Sequence, residues 1–218
     1  MSDHVESDSS TVEISWDERH NDPQADVILV SADDVYFRIH SWPMKRESGF
    51  VNDLYTVASQ SPSAPISTDV SAKALRFFTN LVYSDSSPLM NMSLDEIKEV
   101  LAVCDRLQCQ RIEERVLKAL GEQAGKDPWQ IFIMASQRDD VELAKSALKA
   151  MENTTARCPV ENIKDLTAAD IEAVDPRYLS ALLASRLSLT NMTYDPDQRP
   201  CLAFTRWTTV SASFKLCK

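Results

Sequence analysis

The feature that most constrains this chain is a short β-hairpin signal near its beginning. Residues 26–30 (Asp-Val-Ile-Leu-Val) form an apolar, β-branched run, and residues 36–40 (Tyr-Phe-Arg-Ile-His) alternate between apolar and polar side chains. Such runs on either side of the small polar residues 31–34 predict two strands joined by a tight turn. Almost everything downstream shows helical periodicity instead. The sequence therefore predicts an α+β protein, with a small sheet flanked by helices and followed by α-helical hairpins.

Composition and charge exclude several classes of function. The chain has 218 residues, 44% of them hydrophobic, enough for one domain with an appendage or for two small domains. Its net charge is −10, so nucleic-acid binding is not expected, because affinity for phosphates comes from lysine and arginine. No apolar run approaches the ~18 residues that span a bilayer, so membrane insertion is not expected. The five cysteines follow no metal-ligand spacing, which favours reduced thiols in the cytoplasm or the nucleus.

The first residues of the chain are strongly acidic. Residues 1–24 hold seven aspartates and glutamates against the single Arg19. Low hydrophobicity with high net charge is typical of disorder, so residues 1–23 are predicted to be a disordered acidic tail. Within it, Val12, Ile14 and Trp16 alternate like a short strand that could pair with another element.

Capping signals predict where most helices begin. A serine, threonine or aspartate before an apolar-periodic run accepts a backbone N–H, and proline fits the first helical turn. Periodicity from Met44 to Tyr55 predicts short helices on either side of Gly49, while the prolines of residues 59–68 predict a loop. Residues 199–218 show no interpretable pattern. The predicted starts are Asp69 or Ser71, the capping box at residues 93–96, Asp127 before Pro128, Thr167, and Asp175 before Pro176.

The inventory of reactive residues is poor. Of the three histidines only His40 lies outside the predicted tail, and a lone histidine at a strand end is more often a hydrogen-bonded structural residue than a base. Cys104 lies on an apolar helical stripe, as an inert buried thiol would. Three glycines cannot build a phosphate-binding loop, and no cysteines or histidines have the spacing of a zinc module. We therefore predict no catalytic residue, no cofactor and no metal. Trp42 and Tyr55, if exposed, would mark a partner surface.

In the order of its motifs, the chain resembles a BTB/POZ domain. The hairpin at residues 25–40 is followed by a short helix with Met44 and Ser48 four and eight residues after His40, then by Leu54-Tyr55. The likeness continues through residues 74–85 and 101–120, and it is nearest to the small stand-alone forms abundant in fungi. It implies a domain at residues 24–122. Residues 123–190 resemble the BACK-type helices that often follow such domains, and residues 191–218 form a C-terminal tail of uncertain structure.

The resemblance implies a non-catalytic protein interaction module that forms homodimers or heterodimers. It assigns the partner interface to Asp26, His40, Met44, Phe50, Leu54 and Tyr55, and an adaptor face to Tyr83. Family dimers commonly pair the aspartate that opens the first strand with a basic residue after the histidine, but position 41 is serine here. We therefore expect self-association through the apolar side chains of this set, whose burial needs no charged partner.

Three alternatives remain open at this stage. Some family members bridge a partner to a cullin-type ubiquitin ligase, but the apolar-x-Glu element typical of them is missing, because residues 57–60 (Val-Ala-Ser-Gln) contain no acid. The helical hairpins of residues 93–188 could instead form a short α-solenoid scaffold that binds a peptide. An enzyme would require a polar pocket around His40.

Overall fold

The chain forms two compact units. A computed structural model describes residues 14–58, 64–84, 92–152, 167–186, 192–194, 200–202 and 207–216. The units are Met1–Val116 and Leu117–Lys218, and each is described separately below. No helix in these described ranges has both the length and the apolar character needed to cross a membrane.

A four-stranded mixed sheet lies in the first unit. Its strands are β1 (Ser15–Asn21), β2 (Val27–Val30), β3 (Val35–Ile39) and β4 (Ile66–Ser67), in the spatial order β1-β3-β2-β4. The predicted hairpin is confirmed, because β2 and β3 are antiparallel with Ile28 opposite Arg38. The turn between them places Asp34 at a φ of 58°, a conformation that aspartate tolerates, and Ser31 Oγ donates to the carbonyl of Val35.

Two outer strands differ from the sequence predictions. The prediction of disorder is wrong for Ser15–Asn21, which forms β1 and pairs in parallel with β3, so that Trp16 lies beside Tyr36. The alternation of apolar residues that ends at Trp16 correctly indicated a strand, because pairing with β3 stabilises this segment despite its acidic composition. The loop prediction is wrong for Ile66–Ser67, which forms β4 beside β2. Both strands are recruited by backbone hydrogen bonds to the hairpin, which a local pattern does not reveal.

Five helices follow the β2–β3 hairpin in sequence, and β4 lies between the second and the third of them. The predicted pair of short helices is confirmed as α1 (Ser41–Glu47) and α2 (Gly49–Ala58), but the break falls at Ser48, and Gly49 begins α2. Next come α3 (Ala72–Tyr83), capped by Ser71, and α4 (Leu94–Leu107), where the predicted capping box is present. The fifth helix, α5 (Gln110–Glu122), crosses the boundary between the units.

The core of the first unit lies between the sheet and its helices. One face of the hairpin is buried, and α3 contributes the aromatic and aliphatic side chains that pack with it. Burial of this face is the main source of stability, at roughly 1.5–3 kcal/mol for each fully buried large side chain. The residues that the structure shows at 0% exposure include Val27, Leu29, Phe37, Ile39, Met44, Leu75 and Phe78.

The second unit is mostly helical. Its elements are α6 (Pro128–Gln137), α7 (Val141–Ala150), α8 (Ala168–Ala173), α9 (Pro176–Arg186), β5 (Met192–Tyr194), β6 (Pro200–Leu202) and α10 (Trp207–Ser213). The predicted caps Asp127 and Thr167 are confirmed. Phe214, for which the sequence offered no assignment, packs its ring 5.9 Å from that of Phe132 and 5.8 Å from that of Tyr178.

The predicted division at residue 122 and the BACK-like character of the later helices stay predictions.

Candidate functional site

Asp26 organises a corner where β2, α1 and α2 meet. Its Oδ1 accepts the backbone N–H of Ser41 at 2.7 Å, and its Oδ2 accepts the Tyr55 hydroxyl at 3.1 Å. The Lys45 ammonium lies 3.9 Å from the centre of the Tyr55 ring. Burial by itself would raise the pKa of Asp26, but the hydrogen bonds from Ser41 and Tyr55 outweigh it, so the pKa lies below its ordinary value. Two predicted interface residues, Asp26 and Tyr55, are thus brought together, and the carboxylate is used within the chain.

The helices beyond this corner present apolar side chains to solvent. On α2, Phe50, Leu54 and Val57 are spaced i, i+4 and i+7, which places them along one helical face. Phe50 is 37% exposed and Val57 83%, while Leu54 is half-buried. On α1, Trp42 is 65% exposed. We call these four residues the α1–α2 surface. Large exposed apolar side chains, tryptophan above all, are typical of protein contact sites.

Met44 does not belong to this surface. The resemblance assigned it to the partner interface, but its side chain is fully buried, at 0% exposure. The physical reason is its position on α1, which turns Met44 and Pro43 into the core while Trp42 faces solvent. A residue without accessible area cannot contact a partner unless the domain opens, so that part of the prediction is wrong.

His40 and Tyr83 form a second group, where β3 leads into α1. The Tyr83 hydroxyl accepts the backbone N–H of His40 at 2.9 Å and lies 3.0 Å from His40 Nδ1, and His40 Nε2 is 3.5 Å from Asp22 Oδ2. Burial raises the pKa of Tyr83, and the charges of Asp22 and Asp26 add to this. The end of α3 is thereby tied to the end of the sheet. Tyr83 remains 42% exposed, so it can also contact a partner.

Sequence reasoning missed His20 as a member of this group. Its ring is stacked on that of Tyr83, with centres 6.1 Å apart and planes 6° apart, and its Nε2 is 3.1 Å from Asn80 Oδ1. Burial is the main cause that lowers the pKa of His20, opposed by the charge of Asp17. The alternation that ends in Trp16 was the signal that could have extended the strand to His20.

The reactive residue types are placed as structural groups. Cys104 and Cys109 are buried, and burial raises the pKa of Cys109 to about 12, which keeps it a thiol at neutral pH. Among the described residues, no three histidine, cysteine or acidic side chains are arranged to hold a metal ion.

Comparison with protein families identifies the first unit. The family profile described as BTB/POZ domain matches residues 17–124, from within β1 to just beyond α5. A search of curated proteins found no match to the chain. BTB/POZ domains are a non-enzymatic family that generally mediates protein–protein interaction. The small mixed sheet of four strands flanked by helices agrees with this family. The chain therefore contains a BTB/POZ domain, at residues 17–124.

Proposed function

We propose that this BTB/POZ domain is a non-catalytic adaptor module that self-associates through the α1–α2 surface. The observation that carries the proposal is the exposure of Trp42 and Val57, at 65% and 83%, beside Phe50 on the same pair of helices. Burying one large apolar side chain stabilises a complex by roughly 1.5–3 kcal/mol. A surface with several of them can supply the central cluster on which a stable interface depends.

Apolar burial is favoured over charge pairing as the source of affinity. The Asp26 carboxylate already accepts a hydrogen bond on each oxygen, from Ser41 and Tyr55, so part of its acceptor capacity is used within the chain. Residue 41 is serine and offers no basic side chain for the partner's aspartate. Asp26 therefore acts as a positioning residue that holds α1 and α2 in their relative orientation. A stable dimer buries about 800 Å² per partner, so the α1–α2 surface would be the centre of a larger interface.

Light scattering coupled to size-exclusion chromatography tests the proposal. The full chain has a mass of 24.5 kDa, and we expect twice this mass, falling towards 24.5 kDa on dilution. Trp42→Glu with Phe50→Glu should give the monomer at all concentrations, because two charges would have to be desolvated at the interface. Ile171→Glu is a matched control, since Ile171 is 49% exposed in the other unit and should leave the mass unchanged. A wild-type chain that stays at 24.5 kDa from micromolar to millimolar concentration would refute self-association.

One of the alternative functions is set aside, and the others are kept as predictions. The α-solenoid requires residues 93–188 to be one body, whereas α4 and α5 fall within the BTB/POZ match, so we do not propose it. Recruitment of a cullin-type ligase through the face containing Tyr83 stays a prediction, as do heterodimerisation and placement in the cytoplasm or the nucleus. A non-catalytic role agrees with His40, whose Nδ1 lies within hydrogen-bond distance of the Tyr83 hydroxyl.

A further inference from the structure

The sheet of the first unit has a second face that no described helix covers fully. Along β2 and β3, fully buried residues alternate with half-buried ones, as expected for a sheet with one face in the core. On β1, Trp16 is half-buried while its neighbour Asp17 points inward. The half-buried residues, which we call the outer sheet face, are Trp16, Ile28, Val30, Tyr36 and Arg38. The strand register places Trp16 beside Tyr36, and Ile28 opposite Arg38.

A single cation lies among the aromatic rings of this face. The Arg38 Cζ is 4.0 Å from the centre of the Trp16 ring, and the Trp16 and Tyr36 ring centres are 5.5 Å apart. Within the described ranges the Arg38 guanidinium makes no hydrogen bond or ion pair. A guanidinium carries five N–H donors in a planar fork that matches a carboxylate. The outer sheet face therefore has the chemistry to bind an extended acidic segment, with rings for apolar contact and one fork for an acid.

Charge decides between the possible sources of such a segment. The chain carries −10 overall, so an acidic partner in solution is repelled, and two copies packed face to face would oppose one Arg38 to the other. Neither the repulsion in solution nor the opposition of two Arg38 side chains applies to the chain's own residues 1–13. They are tethered beside the sheet and belong to the same copy of the chain. They contain four acids and neither lysine nor arginine. They end three residues before Trp16, and a segment of this length can reach up to roughly 40 Å.

We propose that the outer sheet face binds the acidic residues 1–13 of the same chain, with a carboxylate on the Arg38 guanidinium. The bound segment shields Trp16 and Tyr36 from other proteins. It acts as an internal competitor, so a partner that uses the outer sheet face must displace it. This contact is independent of the α1–α2 surface and of self-association through it.

Fluorine NMR on the full chain labelled with 5-fluorotryptophan tests this contact. The chain has four tryptophans, and Trp16→Phe assigns the resonance of Trp16. The perturbing variant carries Asp3→Asn, Glu6→Gln, Asp8→Asn and Glu13→Gln. We expect it to shift the Trp16 resonance and to increase its shift difference between H₂O and D₂O, which reports solvent access. The resonance of Trp129, which is buried in the other unit, should stay unchanged.

A double-mutant cycle attributes the effect to Arg38, because coupling vanishes when one partner is already removed. In an Arg38→Gln background, neutralising the four acids should no longer shift the Trp16 resonance. Arg19→Gln is the matched control, since it removes the same charge from an exposed position on β1 and should preserve the shift. An unshifted Trp16 in the neutralised variant overturns the proposal. A shift that depends on protein concentration also overturns it, because the segment would then come from a second copy.

Discussion

Asp17 should be the residue on which the attachment of β1 depends. Its side chain is fully buried, and its Oδ1 accepts the backbone N–H groups of Arg19 and His20, each at 3.0 Å. Its Oδ2 accepts the Arg76 Nε at 2.7 Å, which joins β1 to α3. Replacing Asp17 by alanine removes all three contacts and leaves two strand N–H groups without their acceptor.

The expected cost follows from these three contacts. Each lost backbone N–H contact costs about 1 kcal/mol, for a sum of about 2 kcal/mol. Arg76 is 40% exposed and can return to water, so its ion pair contributes about 1 kcal/mol more. Asp17→Ala should therefore weaken the attachment of β1 by about 3 kcal/mol. Asp17→Asn retains one acceptor oxygen and should cost about half as much.

Amide hydrogen exchange is the appropriate assay, because it reports the opening of one strand without requiring the whole chain to unfold. A loss of about 3 kcal/mol corresponds to a roughly 100-fold fall in the protection of the Arg19 and His20 amides. Glu18→Gln is the control, since Glu18 is exposed on the same strand and its replacement should leave protection unchanged. Protection in Asp17→Ala within about threefold of wild type would refute this account of β1.

The pH dependence supplies a second check on the same residue. Burial by itself would raise the pKa of Asp17, but the hydrogen bonds from Arg76, His20 and Arg19 outweigh it and hold the pKa below the ordinary value of 3.8. A lowered folded-state pKa means that the stabilisation is complete above the unfolded-state pKa and is lost as the pH falls through the folded value. The difference between wild type and Asp17→Asn should thus be constant above about pH 5 and shrink below about pH 4.

Three further predictions concern separate parts of the chain. Ser93→Ala should destabilise α4 by about 1 kcal/mol in urea unfolding, because it removes the side-chain half of the capping box, whereas Ser93→Asp should retain most of the stability. Cys109, with a pKa of about 12, should resist iodoacetamide at pH 8 in the native chain but react with it in urea, and mass spectrometry would detect the label. Rapid labelling of the native chain would contradict the burial of Cys109. Phe214→Ala should destabilise the second unit by roughly 3–5 kcal/mol in thermal unfolding, because Phe214 packs on the Phe132 and Tyr178 rings. Phe214→Leu should cost much less. A change under about 1 kcal/mol in Phe214→Ala would contradict that packing.

The sequence alone was sufficient for the local elements of the fold. The β2–β3 hairpin was predictable because β-branched and aromatic residues on either side of a short polar turn satisfy their backbone groups by pairing with each other. The starts of α4 and α6 were predictable because Ser93 and Asp127 accept N–H groups only three residues away. The order of these elements also supported the resemblance to a BTB/POZ domain, which the family match over residues 17–124 then confirmed.

The interaction surface was only partly predictable. The residue types at Phe50 and Leu54 suggested contact with a partner, but the same types occur in cores, and only packing showed that Met44 is buried while Trp42 is exposed. An apolar residue on a short helix has no local property that distinguishes these two fates, because burial depends on what the rest of the fold places against it.

Contacts between residues distant in sequence were decided by the tertiary structure alone. β1 forms because it pairs with the free edge of β3, and because its Asp17 accepts a hydrogen bond from Arg76, 59 residues away in sequence. The hydroxyl of Tyr83 accepts the backbone N–H of His40, which is 43 residues away in sequence. Backbone pairing and burial act between segments that the chain brings together only when it folds, whereas the composition of residues 1–23 records only their charge.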